Sequence, residues 1–180
     1  MIEQPEQRIA VIGCPGAGKS TLATLIARAT DLPLIHLDAE HWQPGWVEPE
    51  REAWLARAAA LADGPHWVID GMYNSTLPAR LRRPTLVVYL DLPTATCLWG
   101  AMKRVRRWRG RSRPDMTEGC PEKLDAEFVA YILTFRRRIR PLVERLLAGS
   151  DVRVIRLTST RDRARFTAAL THGELAAGVA

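Results

Sequence analysis

The chain of 180 residues is predicted to adopt an α/β fold with a doubly wound, parallel sheet. Two observations lead to this prediction. Five short apolar runs of strand length alternate with segments whose apolar residues recur at helical spacing. The first run also leads directly into a glycine-rich loop and then a helix. Parallel strands joined by helices require right-handed crossovers. Because no repeat or interdomain linker interrupts the pattern, residues 1–180 are expected to form one domain.

The individual elements follow from apolar periodicity and from turn residues. Strands are predicted at 9–12, 34–37, 67–69, 85–90 and 152–157. Pro141 should kink or divide one long helix, and the tail after Gly173 should fray. An ordered loop is expected over 39–48, and an exposed, mobile loop over 109–121. Helices are predicted from Lys19 onward, over 49–62, over about 75–82, from Thr94 towards Trp108, over 124–146 and from near Ser159.

Residues 13–20 read GCPGAGKS and fit the phosphate-binding pattern GxxxxGK[ST], the P-loop, at every required position. Glycines let backbone N–H groups turn inward around phosphate oxygens. Lys19 supplies a charge for the outer phosphates, and the Ser20 hydroxyl can ligate Mg²⁺. A chance glycine-rich turn is the alternative, but the strand before the loop and the helix after it match the context of a triphosphate site. The residues expected to bind the nucleotide here are Gly13, Pro15, Gly16, Ala17, Gly18, Lys19, Ser20 and Thr21.

Three further strands end in aspartates, and ligands of such sheets bind outside the carboxyl ends of the strands. Asp70 follows the run Trp67-Val68-Ile69 and is predicted to help hold Mg²⁺. Asp38 is predicted to contact the phosphoryl acceptor, either taking the proton from its hydroxyl or holding it in place. For both residues the alternative is a cap on the turn that follows the strand. Asp91 is interpreted mainly as structural.

The net charge of +6 is concentrated in one stretch, since residues 103–113 hold seven basic side chains. Phosphoryl transfer spreads negative charge over oxygens that cationic groups can stabilise. We therefore expect some of these arginines to act from a lid over the triphosphate, and we name Arg104, Arg111 and Arg113 for the transferred group and Arg107 for the nucleotide. Arg136, Arg137 and Arg138 could close over the site from the other side. A solvated basic surface, or binding to nucleic acid, are the alternatives.

The remaining features narrow the class of protein. No run approaches the length of a membrane span, and the N-terminus does not resemble a signal peptide. Cys14, Cys97 and Cys120 are odd in number and widely spaced, so a disulfide framework or a zinc site is not expected and the cytoplasm is the predicted location. Cys14 could be a reactive thiol or a spectator. His36, Glu40 and His41 lack the spacing of a metal site, and Trp42 and Trp46 could pack in the core or stack on a planar acceptor.

These motifs resemble the adenylate-kinase-like branch of small P-loop kinases, and most closely the FlaR-like or DNA topology modulation proteins. The resemblance covers nearly the whole chain. It implies a five-stranded sheet of order 2-3-1-4-5, ATP as the phosphoryl donor, an acceptor-binding segment over about 38–64 (the acceptor segment) and an arginine-bearing lid, flanked by helices, over about 109–122 (the lid). The segments that carry it are GCPGAGKST (13–21), HLDAEHW (36–42), WVIDGMY (67–73), RGRSRPDMTEGCPEKL (109–124) and FRRR (135–138).

The chain departs from adenylate kinases at three places, and more in the acceptor half than in the triphosphate half. It has Ser20-Thr21 where those enzymes have Gly-Thr, DAEHW at 38–42 where they have a Thr and an Arg, and DGMYN at 70–74 where they have DGFPR. The expectation is a kinase dependent on ATP and Mg²⁺ whose small acceptor, possibly a nucleoside monophosphate, is left open. The alternative is a regulatory ATPase or nucleotide-binding protein whose basic stretch interacts with DNA.

Overall fold

A computed structural model describes residues 6–171 of the chain. Its strands form one sheet in which every pairing is parallel, in the order β2-β3-β1-β4-β5. The predicted α/β class and the predicted sheet order are both confirmed. The predicted fraying after Gly173 lies outside the described residues. The strands are β1 (Gln7–Gly13), β2 (Leu34–His36), β3 (His66–Asp70), β4 (Leu86–Leu90) and β5 (Arg153–Leu157).

Helices connect these strands and cover the sheet. The predicted break at Pro141 is confirmed, because one helix ends at Arg138 and the next begins at Arg140 with Pro141 in its first turn. Proline is tolerated there because the first backbone N–H groups of a helix have no partner within it. The helices are α1 (Lys19–Thr30), α2 (Leu37–His41), α3 (Arg51–Leu61), α4 (Leu77–Arg80), α5 (Thr94–Arg107), α6 (Ala126–Arg138), α7 (Arg140–Ala148) and α8 (Thr160–Thr171).

The segment after β2 differs from its prediction. Leu37 was expected to end the strand and 39–48 to be irregular, but Leu37 begins the short helix α2, which ends at His41. Leu37 is fully buried, and a single buried apolar residue looks the same in sequence at a strand end or in the first turn of a helix. Asp38 therefore lies on a helix, two residues after the end of the strand.

The helix predicted over 75–82 is also shorter than expected. It consists of a single turn, α4, with Pro78 near its start. Arg83 precedes Pro84, and a residue before proline is disfavoured in helical conformation. The two prolines thus limit this helix from both sides.

The core is formed by the three central strands and the helices packed on them. All five residues of β4 are buried, as are four of the five in β3. Such continuous apolar strands are typical of a parallel sheet that is covered on both faces. The register places Asp70 beside Val11 on one side and His36 on the other, and places Gly13 beside Leu90. The loop after β1 therefore meets the ends of β2, β3 and β4 at one edge of the sheet.

Within residues 6–171, the helices are all too short or too polar to cross a lipid bilayer.

Candidate active site

The P-loop forms a concave turn between β1 and α1. Gly16 and Gly18 have φ angles of +79° and +92°, and the Ala17 N–H donates a hydrogen bond to the Cys14 carbonyl at 3.2 Å. Successive residues of opposite backbone handedness aim their N–H groups into one concavity, which suits an anion. Gly18 is also the N-cap of the 12-residue helix α1, so the positive end of the helix dipole faces the same place.

The loop rests directly on the backbone of α5. A Cβ built on Gly16 would lie 2.0 Å from the Cys97 carbonyl oxygen, and one built on Gly100 would lie 2.1 Å from the Gly16 carbonyl oxygen. Only glycine at both positions permits so close an approach of two backbones. Beside this contact the Cys14 thiol is hydrogen-bonded to Cys97, which together with burial raises the pKa of Cys14. Cys14 is thus a packed thiol with the opposite pKa shift from a reactive one.

Lys19 lies at the start of α1 with its charge turned back onto the loop. Its Nζ donates a hydrogen bond to the Cys14 carbonyl at 3.2 Å. Burial lowers the pKa of Lys19, while the charges of Asp38 and Asp70 oppose that shift. Both aspartates therefore lie close enough to act on the ammonium group, and the structure brings together the lysine and the two carboxylates that the sequence singled out.

Asp70 ends β3 in a buried position. Its Oδ1 is 2.5 Å from His36 Nδ1 on the neighbouring strand, and 5% of its side chain is exposed. Burial alone would lower the pKa of His36, but the hydrogen bond and the charge of Asp70 outweigh it and the pKa is raised. The sequence did not predict this pairing of His36 with Asp70.

Ser20 and Asp70 fit a Mg²⁺ ion by the chemistry of their donor atoms. Both side chains offer oxygen atoms, which Mg²⁺ prefers as ligands. Asp70 uses its Oδ1 atom in the bond to His36, and its Oδ2 atom remains to bind the ion. Among the described residues no group of three or more His, Cys, Asp or Glu side chains forms a metal cage. Mg²⁺ in phosphate-transferring sites is commonly bound through one or two protein oxygens plus the phosphates of the substrate.

Asp38 is the more accessible carboxylate, with 37% of its side chain exposed. Its Oδ2 lies 3.4 Å from Nη2 of Arg113 in the lid. Tyr73 is another neighbour of Asp38, and burial and then the charge of Asp38 raise the pKa of its phenol. Tyr73 also has a φ angle of +23°, and strained backbone of this kind tends to concentrate at functional sites.

The lid arginines fall into two groups. Arg113 is 6% exposed and is paired with Asp115 and with Glu122 Oε2, each at 2.5 Å. Arg104, on α5, donates to the other oxygen of Glu122 at 2.9 Å, so this buried carboxylate holds both guanidinium groups. The other two lid arginines, Arg109 and Arg111, are exposed, as is Arg107 at the end of α5.

The lid contacts the acceptor segment instead of extending into solvent, which corrects the expectation of an exposed loop. Arg113, Met116, Cys120 and Glu122 are all buried. The reason is a set of hydrogen bonds that the sequence pattern does not reveal. They join Thr117 Oγ1 to the carbonyls of Ala39 and Trp42, the Gly45 N–H to Gly119, Trp46 Nε1 to Pro121, and Cys120 Sγ to Gln43.

Arg163, on α8, is a contact of the P-loop that the sequence did not indicate. Its Nη1 donates to the Ala17 carbonyl at 2.7 Å, and the same atom lies 2.8 Å from a Cβ built on Gly18. The two partners are separated by 146 positions. A basic residue in a terminal helix carries no sign of such a contact, so only the fold could show it.

His36, Glu40 and His41 do not converge on one point. Glu40 is paired with Arg57 at 2.6 Å, and His36 with Asp70. The His41 ring packs against Trp54 with 4.5 Å between ring centroids. Their partners thus lie on three different parts of the fold.

Comparisons with known proteins bear on the fold. No family model matches the chain, and no curated protein matches it in sequence. Among solved structures, it is similar to an unliganded sugar kinase from Janibacter sp. HTCC2649, at 22% identity and a TM-score of 0.56 over 98% of this chain and 99% of that one. It is also similar to a gluconokinase from Sinorhizobium meliloti 1021, at 19% identity and a TM-score of 0.56 over 98% and 97% of the two chains. For a deoxyadenosine kinase from M. mycoides with bound dATP, the values are 14% identity and a TM-score of 0.52 over 94% and 99%. The chain therefore shares its α/β fold with P-loop kinases of small molecules.

Proposed function

We propose that the protein is a phosphotransferase that uses ATP and Mg²⁺ to phosphorylate a hydroxyl group of a small acceptor. One observation carries this proposal: Lys19 donates a hydrogen bond back to the phosphate-binding loop, and the charges of two carboxylates with different surroundings act on it. Asp70 is buried and hydrogen-bonded to His36, whereas Asp38 is partly exposed at the acceptor segment. The kinase fold of the structural relatives supports the same class of reaction.

The donor half of the site would be formed by the loop and α1. Its backbone N–H groups and Lys19 would hold the β- and γ-phosphates of ATP. Ser20 and Asp70 would hold Mg²⁺, which supplies charge neutralisation on the phosphate oxygens when bound. Arg163 fixes the loop through the Ala17 carbonyl, so it would position the loop without touching phosphate.

The acceptor half would be organised by Asp38. The acceptor hydroxyl oxygen attacks the γ-phosphorus, the bond from that phosphorus to the β–γ bridging oxygen breaks, and ADP leaves. The hydroxyl proton passes to the Asp38 carboxylate. Arg104 and Arg113, both held by Glu122, would stabilise charge on the transferred group together with exposed Arg111, while exposed Arg107 would close on the nucleotide. These roles are our hypotheses, as is the finer resemblance to FlaR-like proteins.

The proposal is tested by acceptor-dependent ADP release from the purified chain with ATP and Mg²⁺. Lys19→Ala should abolish transfer while leaving the fold intact, and Lys103→Ala, at an exposed position on α5, should leave activity unchanged. Full activity in the Lys19 variant would overturn the mechanism. Asp38→Asn should lose acceptor turnover but keep ATP affinity, with Asp151→Asn at another exposed position as its control. If Asp38→Asn weakened ATP binding instead, the role of Asp38 would be wrong.

The alternative, binding to DNA, is tested in parallel. Binding through the basic stretch should be insensitive to sequence and should weaken steeply with salt. No binding to duplex DNA at low salt would remove this alternative. Salt-sensitive DNA binding without any acceptor-dependent ADP release would favour it over the kinase.

A further inference from the structure

One side chain of the lid, Thr117, is bonded to the end of helix α2. Its Oγ1 lies 2.9 Å from the carbonyl oxygen of Ala39 and 2.6 Å from that of Trp42. Ala39 is in α2, and Trp42 is the residue that ends it. The last carbonyls of a helix have no partner within the helix, and here a hydroxyl 75 and 78 positions away lies where it can donate to either of them. The end of α2 is therefore completed by the lid.

Contacts between the two segments continue to the tip of the acceptor segment. The Gly45 N–H donates a hydrogen bond to the Gly119 carbonyl at 3.0 Å, and Trp46 Nε1 donates one to the Pro121 carbonyl at 3.1 Å. A Cβ built on Gly119 would lie 3.1 Å from the Cβ of Pro44, so the two chains also pack against each other. Bonds along one such interface tend to break together. Neither segment can therefore leave the other without losing several of them.

The interface also reaches the carboxylate of the acceptor segment. Asp38 is the second residue of α2, and its Oδ2 lies 3.4 Å from Nη2 of Arg113. That guanidinium is itself held by Asp115 and Glu122, each at 2.5 Å, and such paired contacts fix its orientation. Thr117 thus holds the helix, while Arg113 contacts the side chain that the helix carries.

We infer that the lid is part of the acceptor site and that Thr117 is a positioning residue within it. By holding the end of α2, Thr117 keeps Asp38 in position to meet the acceptor hydroxyl, and the lid and the acceptor segment open as one unit. Misplacement of a reacting group by about 1 Å can cost about a hundredfold in rate. The inference rests on the proposed function, which gives Asp38 its role, and deepens it by giving the lid a task besides the charge of its arginines.

Hydrogen exchange of the full chain tests this unit without an acceptor. Exchange is followed by mass spectrometry in the wild type and in Thr117→Val, which keeps the size of the side chain but removes the hydroxyl. Loss of the hydrogen bond should speed exchange about three- to tenfold, both in the lid and over 39–47. Thr134→Val is the control, because the Thr134 hydroxyl bonds to carbonyls of its own helix, α6, and it should leave both segments unchanged.

Trp46→Phe is a second variant, at the other end of the interface. It keeps an aromatic ring but loses the indole N–H that donates to Pro121, and it should again speed exchange in both segments. Trp99→Phe is its control because Trp99 is 58% exposed on α5. Faster exchange confined to one segment, or exchange equal to that of the controls in both variants, would overturn the inference.

Steady-state kinetics separate positioning of Asp38 from a general loss of structure. Acceptor-dependent ADP release is measured with glucose, gluconate, ribose, adenosine and AMP. For a compound that is used, Thr117→Val should lower the acceptor kcat/KM at least about tenfold. Its affinity for a non-hydrolysable ATP analogue should be unchanged, because the proposed phosphate contacts lie in the P-loop. Thr117→Ser restores the hydroxyl and should recover most of the loss, whereas an equal loss of ATP affinity would overturn the positioning role.

The two measurements distinguish failure of this inference from failure of the proposed function. If Thr117→Val speeds exchange in both segments but no compound raises ADP release, the unit stands while the proposed kinase activity fails. If a compound is phosphorylated but Thr117→Val changes neither the exchange over 39–47 nor the acceptor kcat/KM, the kinase stands and the inference is wrong.

Discussion

Replacing Gly16 by alanine tests how tightly the P-loop is packed against α5. The added Cβ would lie 2.0 Å from the Cys97 carbonyl oxygen and 2.7 Å from the Ala101 nitrogen. Both are backbone atoms, so the clash is not relieved by rotating a side chain. The whole loop or the helix must shift.

The magnitude follows by comparison with a glycine of the same conformation. Gly110 has a φ of +70°, close to the +79° of Gly16, but open space surrounds the Cβ that alanine would add. Gly110→Ala should therefore lose only the left-handed backbone preference, roughly 1–2 kcal/mol. Gly16→Ala should add an overpacking term of about 1–3 kcal/mol. Replacing glycine by alanine also stabilises the folded state by making the unfolded chain less flexible. This stabilisation is the same in both variants and cancels when their free energies of unfolding are compared.

The assay is equilibrium unfolding in urea, followed by tryptophan fluorescence. The free energy of unfolding of Gly16→Ala should lie below that of Gly110→Ala by the overpacking term alone. A difference smaller than about 0.5 kcal/mol, the scatter of substitutions that disturb no packing, would refute the close contact. ATP affinity gives an independent check, because a displaced loop binds phosphate less well, so Gly16→Ala should weaken ATP binding more than Gly110→Ala does.

Three further predictions concern the ion pairs and thiols of the site. Arg113→Gln should lower the free energy of unfolding by about 3 kcal/mol because Asp115 loses its ion-pair partner and buried Glu122 keeps only Arg104, whereas Arg111→Gln, at an exposed position, should change it little; equal effects in urea unfolding would contradict the buried network. The raised pKa of His36 means that its contribution to stability is complete below the unfolded-state value of about 6.5 and is lost as the pH rises through the folded-state value. The stability difference between wild type and His36→Gln should therefore be largest below about pH 6.5 and should shrink as the pH rises above that value, and a constant difference would argue against the ion pair. Cys14 should react with iodoacetamide in the folded chain far more slowly than in urea, as peptide mass spectrometry would show, and rapid labelling of the native protein would be inconsistent with its packing.

The donor side of the site could largely be predicted from sequence, because its signals are local. The spacing of Gly13, Gly16 and Gly18 dictates the loop, and the loop dictates a strand before it and a helix after it. Once the strands are parallel, residues at their carboxyl ends must meet at one edge. Lys19 and Asp70 come together for that reason.

The lid could not be predicted in the same way, because its structure depends on contacts between distant residues. Arg113 and Asp38 are 75 positions apart, and nothing in a run of arginines shows which carboxylate each one meets. Glu122 lies in the lid sequence without any periodic pattern, although it joins Arg104 to Arg113. The lid sequence read as exposed because its prolines, glycines and charges are typical of surface loops, while the fold buries several of its residues.

The contact between Gly16 and α5 has a consequence for how the chain could move. The 14 residues of α5 span about 21 Å; the P-loop packs against the first half of the helix at Cys97–Ala101, and the lid follows its last residue. Because the two backbones are in contact at Gly16 and Gly100, the first half of this helix is held in a fixed position against the P-loop. Any swing of the lid must then be absorbed beyond Arg107, where Gly110 has open space around it. The P-loop and the first half of α5 would therefore stay fixed relative to each other while the lid moves about the segment that follows Arg107.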